Sequence, residues 1–303
     1  MRQIRLRKLR RRLGLQQPAA PPPKPMDSAS IRQRRKVFET LPVHPECPPG
    51  WSVGPPDFVI FGAQKSGTTW WFRLIEQHPG VVQPKNQRPE LHFFDRLWAE
   101  PLTEEHIERY HRYFPRPAGR LIGEKTPEYM NCAWVPPMVK AAAPDARAIV
   151  LLRDPVERYI SGLSHMDRGG LVDEDDEDGV VRVFGDRVRV VTDAIERGMY
   201  ATQVEWLLQS YPAERLLLLQ YEACAADAAA MLAKTFDFLG LPPHELPAEE
   251  MARPRNQAKL EKVQVPGSQI EALRGYYRPE VKRLRELMPA LDLSLWSHFS
   301  DLA

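Results

Sequence analysis

Three groups of residues in this 303-residue chain have the types and spacing to do chemistry. The first is Gln64-Lys65-Ser66-Gly67-Thr68-Thr69-Trp70, where small residues, three hydroxyls and a lysine stand together. Small residues let backbone N–H groups turn inward on an anion, and Lys65 supplies the counter-charge. The second is Glu90 and His92, beside Phe93-Phe94-Asp95. In an extended segment these two share a face, so a carboxylate and an imidazole can converge on one substrate hydroxyl. The third is Arg153, at the end of an apolar run over 148–152, with Ser161 about two helical turns further on. A guanidinium fork suits a terminal phosphate. Lys125-Thr126, shortly after the apolar pair Leu121-Ile122, adds a polar pair of the kind that lies just past a strand at the ligand end of a parallel sheet.

Positioning these groups requires strands that feed helices. Phe58-Val59-Ile60-Phe61 predicts a strand broken at Gly62, and Trp70, Trp71, Leu74 and Ile75 recur at helical spacing until His78-Pro79-Gly80. The first loop therefore opens a helix at its positive end. Lys65 precedes Gly67, so the Walker A order is not met, and the dinucleotide spacing fails as well. Alone, this turn also fits a capped strand–helix junction with a surface lysine; a second phosphate-binding element decides. Residues 148–152 predict a buried strand, and Asp154-Pro155 begins a helix by the N-cap and N1 preferences, with Val156, Tyr159, Ile160 and Leu163 apolar. Val81-Val82 predicts a short strand, and 216–219 predicts a buried one. Helices are predicted from about 192 onward, over 228–239 ending at Gly240, and over 270–287 with an interruption near Pro279. The alternation predicts an α/β fold, P-loop-like and three-layered, with a central parallel sheet flanked by helices.

Composition, with 43% hydrophobic residues, supports one large domain, expected over 51–303 behind a basic, Pro-rich, disordered extension over 1–50. The net charge of +2 hides an asymmetry: residues 1–36 hold twelve Lys or Arg and one acid, so the remainder is acidic. The tail's basic, apolar-spaced start suits peripheral contact with an anionic surface, a solvated arm being the alternative. No uncharged apolar run approaches the roughly 18 residues of a membrane span, and the tail lacks the core of a secretory signal, so a soluble protein is expected. Cys47, Cys132 and Cys224 have no metal-type spacing and read as reduced packing thiols of a cytoplasmic protein. The acidic run 173–178 fails the EF-hand pattern and reads as an inserted loop, one that could border an acceptor cleft and disfavour polyanions.

Taken together, residues 64–70 with Arg153-Asp154-Pro155 and Ser161 resemble the 5′-phosphosulfate loop and 3′-phosphate motif of sulfotransferases that use 3′-phosphoadenosine 5′-phosphosulfate (PAPS). Residues 89–95, 124–129, 197–200, 216–222 and 238–241 resemble the carbohydrate branch, typified by heparan sulfate sulfotransferases, so the similarity runs from Phe58 to Trp296. The resemblance implies that Lys65, Ser66, Gly67, Thr68 and Thr69 hold the 5′-phosphosulfate, that Trp70 lies beside the adenine, and that Arg153 and Ser161 bind the 3′-phosphate. It implies Glu90 as general base on the acceptor hydroxyl, His92 and Asp95 as its support, and Lys125 near the reacting centre. A sulfuryl group carries less negative charge than a phosphoryl group, so two lysines can stand where a kinase needs a divalent cation, and no metal is expected. Golgi members carry a Cys pair and a Lys-Gly-Arg stretch in the loop that closes over the nucleotide, whereas 253–268 has no Cys; Lys259 and Lys262 could cover the 3′-phosphate instead, the other reading of 255–262 being a solvated loop or helix start. That departure favours a soluble bacterial-type enzyme. Its expected partner is a carbohydrate, glycolipid or other small-molecule acceptor and no nucleic acid, with phenolic or glycopeptide natural products as alternatives. A P-loop kinase and a non-catalytic nucleotide-binding protein are the competing classes; the first lacks a correctly placed lysine, and the second has no use for Glu90 and Lys125.

Overall fold

The computed structural model describes residues 41–82, 90–97, 100–167, 172–173, 182–183, 194–252 and 264–303. The basic tail, most of the acidic run and the 253–263 segment with Lys259 and Lys262 lie outside them. The strands are β1 (Phe58–Gly62), β2 (Gly123–Lys125), β3 (Arg147–Leu152), β4 (Val172–Asp173), β5 (Arg182–Val183) and β6 (Leu216–Gln220). The helices are α1 (Thr68–Glu76), α2 (Glu104–His111), α3 (Val135–Ala142), α4 (Pro155–Asp167), α5 (Tyr200–Ser210), α6 (Tyr221–Ala226), α7 (Ala228–Leu239), α8 (Ala248–Met251) and α9 (Gly267–Leu287). Four strands form one sheet in the order β2-β1-β3-β6 with every pairing parallel, and β4 and β5 form a separate antiparallel pair. This is the α/β architecture predicted from the alternation of strand and helix.

A parallel sheet must bury both faces, and the strands are apolar on both. Phe58, Ile60, Ile149, Leu151, Leu217 and Leu219 pack with Trp71 and Ile75 of α1 and Phe236 and Leu239 of α7. On the other face Phe61 meets the rings of Tyr129 and Tyr211, beneath α3 and α5. Each large side chain buried this way contributes about 1.5–3 kcal/mol. Because all four strands point one way, the residues that follow β1, β2, β3 and β6 gather along one edge of the sheet. There β1 lies between β2 and β3, the strand-order reversal at which open α/β sheets bind ligands. Among the described residues no helix is long and apolar enough to cross a membrane.

Several sequence expectations are corrected. Residues shortly before Trp51 already pack on the compact unit Leu41–Ala303: Leu41 is buried, and the Tyr113 hydroxyl donates to the Pro42 carbonyl at 2.7 Å. Val81 makes only an isolated parallel bridge to Leu121, so 81–82 is not a strand. The strand near Leu121-Ile122 lies instead at Gly123–Lys125, in register with Phe58, Val59 and Ile60, which puts Lys125 on the strand itself. α9 continues through Pro279 without interruption, held along its length by buried Leu273, Tyr277, Val281 and Leu284; tertiary packing outweighs the lost backbone bond.

Gly123 is required by this register. A Cβ there would lie 2.2 Å from Cζ of fully buried Phe58. Gly123→Ala is expected to cost about 1–3 kcal/mol by overpacking, seen as a lower urea midpoint with unchanged slope.

Candidate active site

The loop after β1 turns on two left-handed residues, Lys65 (φ 69°) and Gly67 (φ 84°). Gly67 is also the N-cap of α1 and, having no side chain, leaves the first amides uncapped; the first turn carries no acid. A Cβ on Gly67 would meet the Tyr221 ring at 2.9 Å, so the backbone passes against that ring. The Ser66 hydroxyl is buried, with the Tyr200 hydroxyl beside it. It sits in a loop of uncapped helix-terminal amides, as an anion cradle requires.

Arg153 follows β3 and lies over the same aromatic ring, its guanidinium 5.0 Å from the Tyr221 centroid. Tyr221, the first residue after β6, thus touches both the donor loop and Arg153, bringing the two predicted anion sites into one cleft. Arg153 is held by Glu157 one turn along α4 at 2.9 Å. Ser161 is half-buried on the same helix, and none of its described contacts ties it to Arg153. Trp70 is buried, donates from its indole N–H to the Met251 carbonyl at 3.2 Å, and stands edge-on to Trp71 and Tyr221. Thr68 is buried and Thr69 exposed.

The residues predicted for acid–base work form a connected chain. Lys125 Nζ donates to Thr69 Oγ1 at 2.8 Å and to Glu90 Oε1 at 2.7 Å. Glu90 Oε2 lies 3.3 Å from His92 Nε2, and His92 Nδ1 lies 2.7 Å from Asp95 Oδ2. Glu90 and His92 do meet, though the predicted extended geometry does not bring them together: His92 is left-handed (φ 52°), and that kink swings its ring back onto Glu90. Burial raises the Glu90 carboxyl, but hydrogen bonds from His92 and Lys125 outweigh it and hold the group at about 2, below its usual 4.5. Hydrogen bonds that His92 donates to Asp95 and then to Glu90 lift it to about 9, against its burial. Burial pulls Lys125 down, opposed by Glu90.

Asp154 is the expected N-cap of α4, but several contacts that matter here carried no marked sequence signal. Asp154 accepts from the amides of Val156 and Glu157 as N-cap of α4, and its second oxygen binds the His298 backbone and ring at 3.0 and 2.9 Å. Glu222 joins the Asp154 amide at 2.9 Å to the Trp296 indole at 3.1 Å. The C-terminal segment therefore fixes the Arg153 loop, and nothing in the spacing of 296–298 relative to 154 announces it. Gly198 is closed over by Tyr277, whose hydroxyl reaches the Ile195 carbonyl at 3.1 Å.

A sulfotransferase domain profile matches residues 55–270. The human heparan sulfate glucosamine 3-O-sulfotransferase 3B1 is 31% identical over 192 residues, 61% of this chain and 46% of that protein. The human heparan sulfate glucosamine 3-O-sulfotransferase 6 is 27% identical over 257 residues, covering 77% of this chain and 71% of that one. The chain thus spans about half the length of the first of these relatives. A crystal structure of a sulfotransferase from Alicyclobacillus acidocaldarius has the same fold, with a TM-score of 0.62 and 24% identity over 80% of this chain and 99% of that one. The profile takes in the donor loop, the Glu90–His92 pair, Lys125 and the Arg153 loop, and it covers well over half of the sequence: the chain belongs to the sulfotransferase domain family.

Proposed function

We propose that this protein transfers a sulfuryl group from PAPS to a hydroxyl of a carbohydrate-type acceptor. The observation that carries the reading is the buried Lys125 ammonium, which bonds at once to the donor-loop residue Thr69 and to the carboxylate of Glu90. One cation joins the site of the leaving oxyanion to the site of the entering hydroxyl, the two ends of an in-line displacement. The cleft suits the donor's two charged ends: the loop amides, Lys65 and the buried Ser66 hydroxyl for the phosphosulfate, and Arg153 over the Tyr221 ring for the 3′-phosphate that ATP lacks. The similarity to heparan sulfate glucosamine 3-O-sulfotransferases supports a sugar hydroxyl as the acceptor.

Glu90 takes the acceptor proton as the hydroxyl oxygen bonds to sulfur and the bond from sulfur to the 5′-phosphate oxygen breaks. Lys125 and Lys65 balance the charge that shifts onto the leaving oxygen. At rest Glu90 is a weak base because His92 and Lys125 both bond to it; as Lys125 turns to the reacting group, that restraint falls and basicity rises. Asp95 keeps His92 oriented. We also propose a cytoplasmic location and a peripheral role for the basic tail.

Glu90→Gln keeps the shape and one acceptor for Lys125, so turnover is expected to fall by about 10²–10⁴-fold while affinity for adenosine 3′,5′-bisphosphate, measured calorimetrically, stays within about twofold. Retained turnover in that variant removes Glu90 as base. The bisphosphate is expected to bind without magnesium and much more tightly than ATP; Arg153→Ala should erase most of that preference, since it removes the fork for the 3′-phosphate.

His92 also sets a pH dependence. Its folded value of about 9 lies above the ordinary 6.5, so the stability that its charge adds is complete below pH 6.5 and is lost as pH rises through 9. Glu90 has the opposite sign: its contribution is present above 4.5 and disappears as pH falls through about 2. The profile of kcat/KM is therefore expected to be flat near neutrality with an alkaline limb near 9. Asp95→Asn should move that limb to lower pH, and an unmoved limb would detach it from His92.

A further inference from the structure

Glu124, next to Lys125 on β2, points to the opposite side of the strand and is fully buried. Its carboxylate gathers hydroxyls. Tyr110 donates to Oε2, Thr126 donates to Oε1 at 3.0 Å, and Tyr129 bonds to the same carboxylate. Two of those hydroxyls are in turn acceptors for the segment that carries the acid–base pair. Leu91 N–H donates to Thr126 Oγ1 at 3.1 Å, and Phe93 N–H donates to the Tyr129 hydroxyl at 3.0 Å. The residue between Leu91 and Phe93 is His92, which is left-handed without being glycine. Such a conformation costs of order 1–3 kcal/mol and persists only where its surroundings over-determine it.

We propose that Glu124 is a positioning residue for sulfuryl transfer: through Thr126 and Tyr129 it anchors the amides on both sides of His92 and so holds the imidazole between Glu90 and Asp95. The direction of each bond supports the assignment. A hydroxyl that accepts an amide proton has its own proton to give: Thr126 gives it to Glu124 at 3.0 Å, and the Tyr129 hydroxyl interacts with the same carboxylate, which favours the acceptor role of both anchors. Burial pushes the Glu124 carboxyl up to about 7, opposed by bonds from Tyr110, Tyr129 and Thr126, so the three donors limit a shift that burial alone would carry further. Tyr110, one of those donors, is itself gripped by Phe93 and Phe94 at ring-centroid distances of 5.3 and 4.6 Å, which closes the assembly around the segment.

The inference rests on the sulfotransferase reading for its catalytic consequence but not for its physical one, and the test separates them. Tyr129→Phe removes the hydroxyl under Phe93 while keeping the ring that packs on Phe61 and Phe94; Glu124→Gln removes the charge at the root of the network. Titration of the His92 imidazole by NMR is the primary readout. In both variants its pKa is expected to drop from about 9 by at least one unit toward the ordinary 6.5, as the ring loses its place between the two carboxylates. With PAPS and an accepted sugar, kcat should fall by about 10–100-fold with bisphosphate affinity unchanged, and the alkaline limb should shift with the His92 titration. If a variant folds and His92 still titrates near 9 with kcat within twofold, the positioning role is overturned, and a lower melting temperature alone would make Glu124 merely structural. If the titration shifts but no acceptor is ever sulfated, the sulfotransferase reading has failed and the anchoring stands. Should Glu124→Gln fail to fold, Tyr129→Phe decides.

Discussion

Everything in the cleft depends on a lysine ammonium buried to 1% exposure at the end of β2. An ammonium out of water must be compensated within hydrogen-bond reach, because an uncompensated buried charge costs several kcal/mol. Lys125 finds Thr69 on one side and Glu90 on the other. That requirement gives the protein a reason, independent of any substrate, to bring the first turn of α1 and the 90–95 segment together over the tip of a strand. The same requirement shapes the segment. For Glu90 to meet Lys125 and His92 to return onto Glu90, the chain must reverse within three residues, and the left-handed conformation at His92 is where it does so.

The second half of the cleft is built by other means. Arg153 sits on the face of Tyr221 and against Glu157, and the loop behind it is tied by Asp154 and Glu222 to His298 and Trp296. The Gln220 amide adds a reciprocal pair with the backbone of Asp292, at 2.8 and 2.9 Å. The last residues of the chain therefore serve as a clamp across the ends of β3 and β6. Residue 270, where the family profile stops, lies well before this clamp, so the rigidity of the Arg153 loop comes from a part of the chain outside the recognised domain match.

The sequence made the strand–loop–helix units plain because each is local: an apolar run, a glycine turn and a helical repeat lie within about twenty residues of one another, and the parallel sheet follows from their alternation. The donor loop, Arg153, Glu90 and Lys125 were legible for the same reason. What was hidden is long-range or conformational. Tyr221 reads as the end of a strand, and only the fold shows it in contact with both Gly67 and Arg153. Glu124, Thr126 and Tyr129 surround a residue that was noticed, but Tyr110, on a separate helix, completes their network without any spacing to mark it. The convergence of Glu90 with His92 was expected from an extended segment and arises instead from a backbone kink that residue types do not encode.

On the proposed function, the order of charges along Lys125, Glu90, His92 and Asp95 bears on how a carboxylate base would work beside a polyanionic donor. Taken singly, Glu90 would repel the donor, and in a cleft of low dielectric that repulsion would be large. Here the signs alternate, with a positive lysine, a negative glutamate, a histidine that two carboxylates hold positive, and a negative aspartate. The set is close to neutral at physiological pH, and its positive end faces the donor loop. Glu90 can thus remain ionised for the proton it must take without presenting net negative potential to the group it must approach. Loss of the His92 charge would break this alternation, leaving two carboxylates to one lysine, which is why the geometry that Glu124 maintains is electrostatic in its effect although it is made entirely of neutral hydroxyls and amides around a single buried acid.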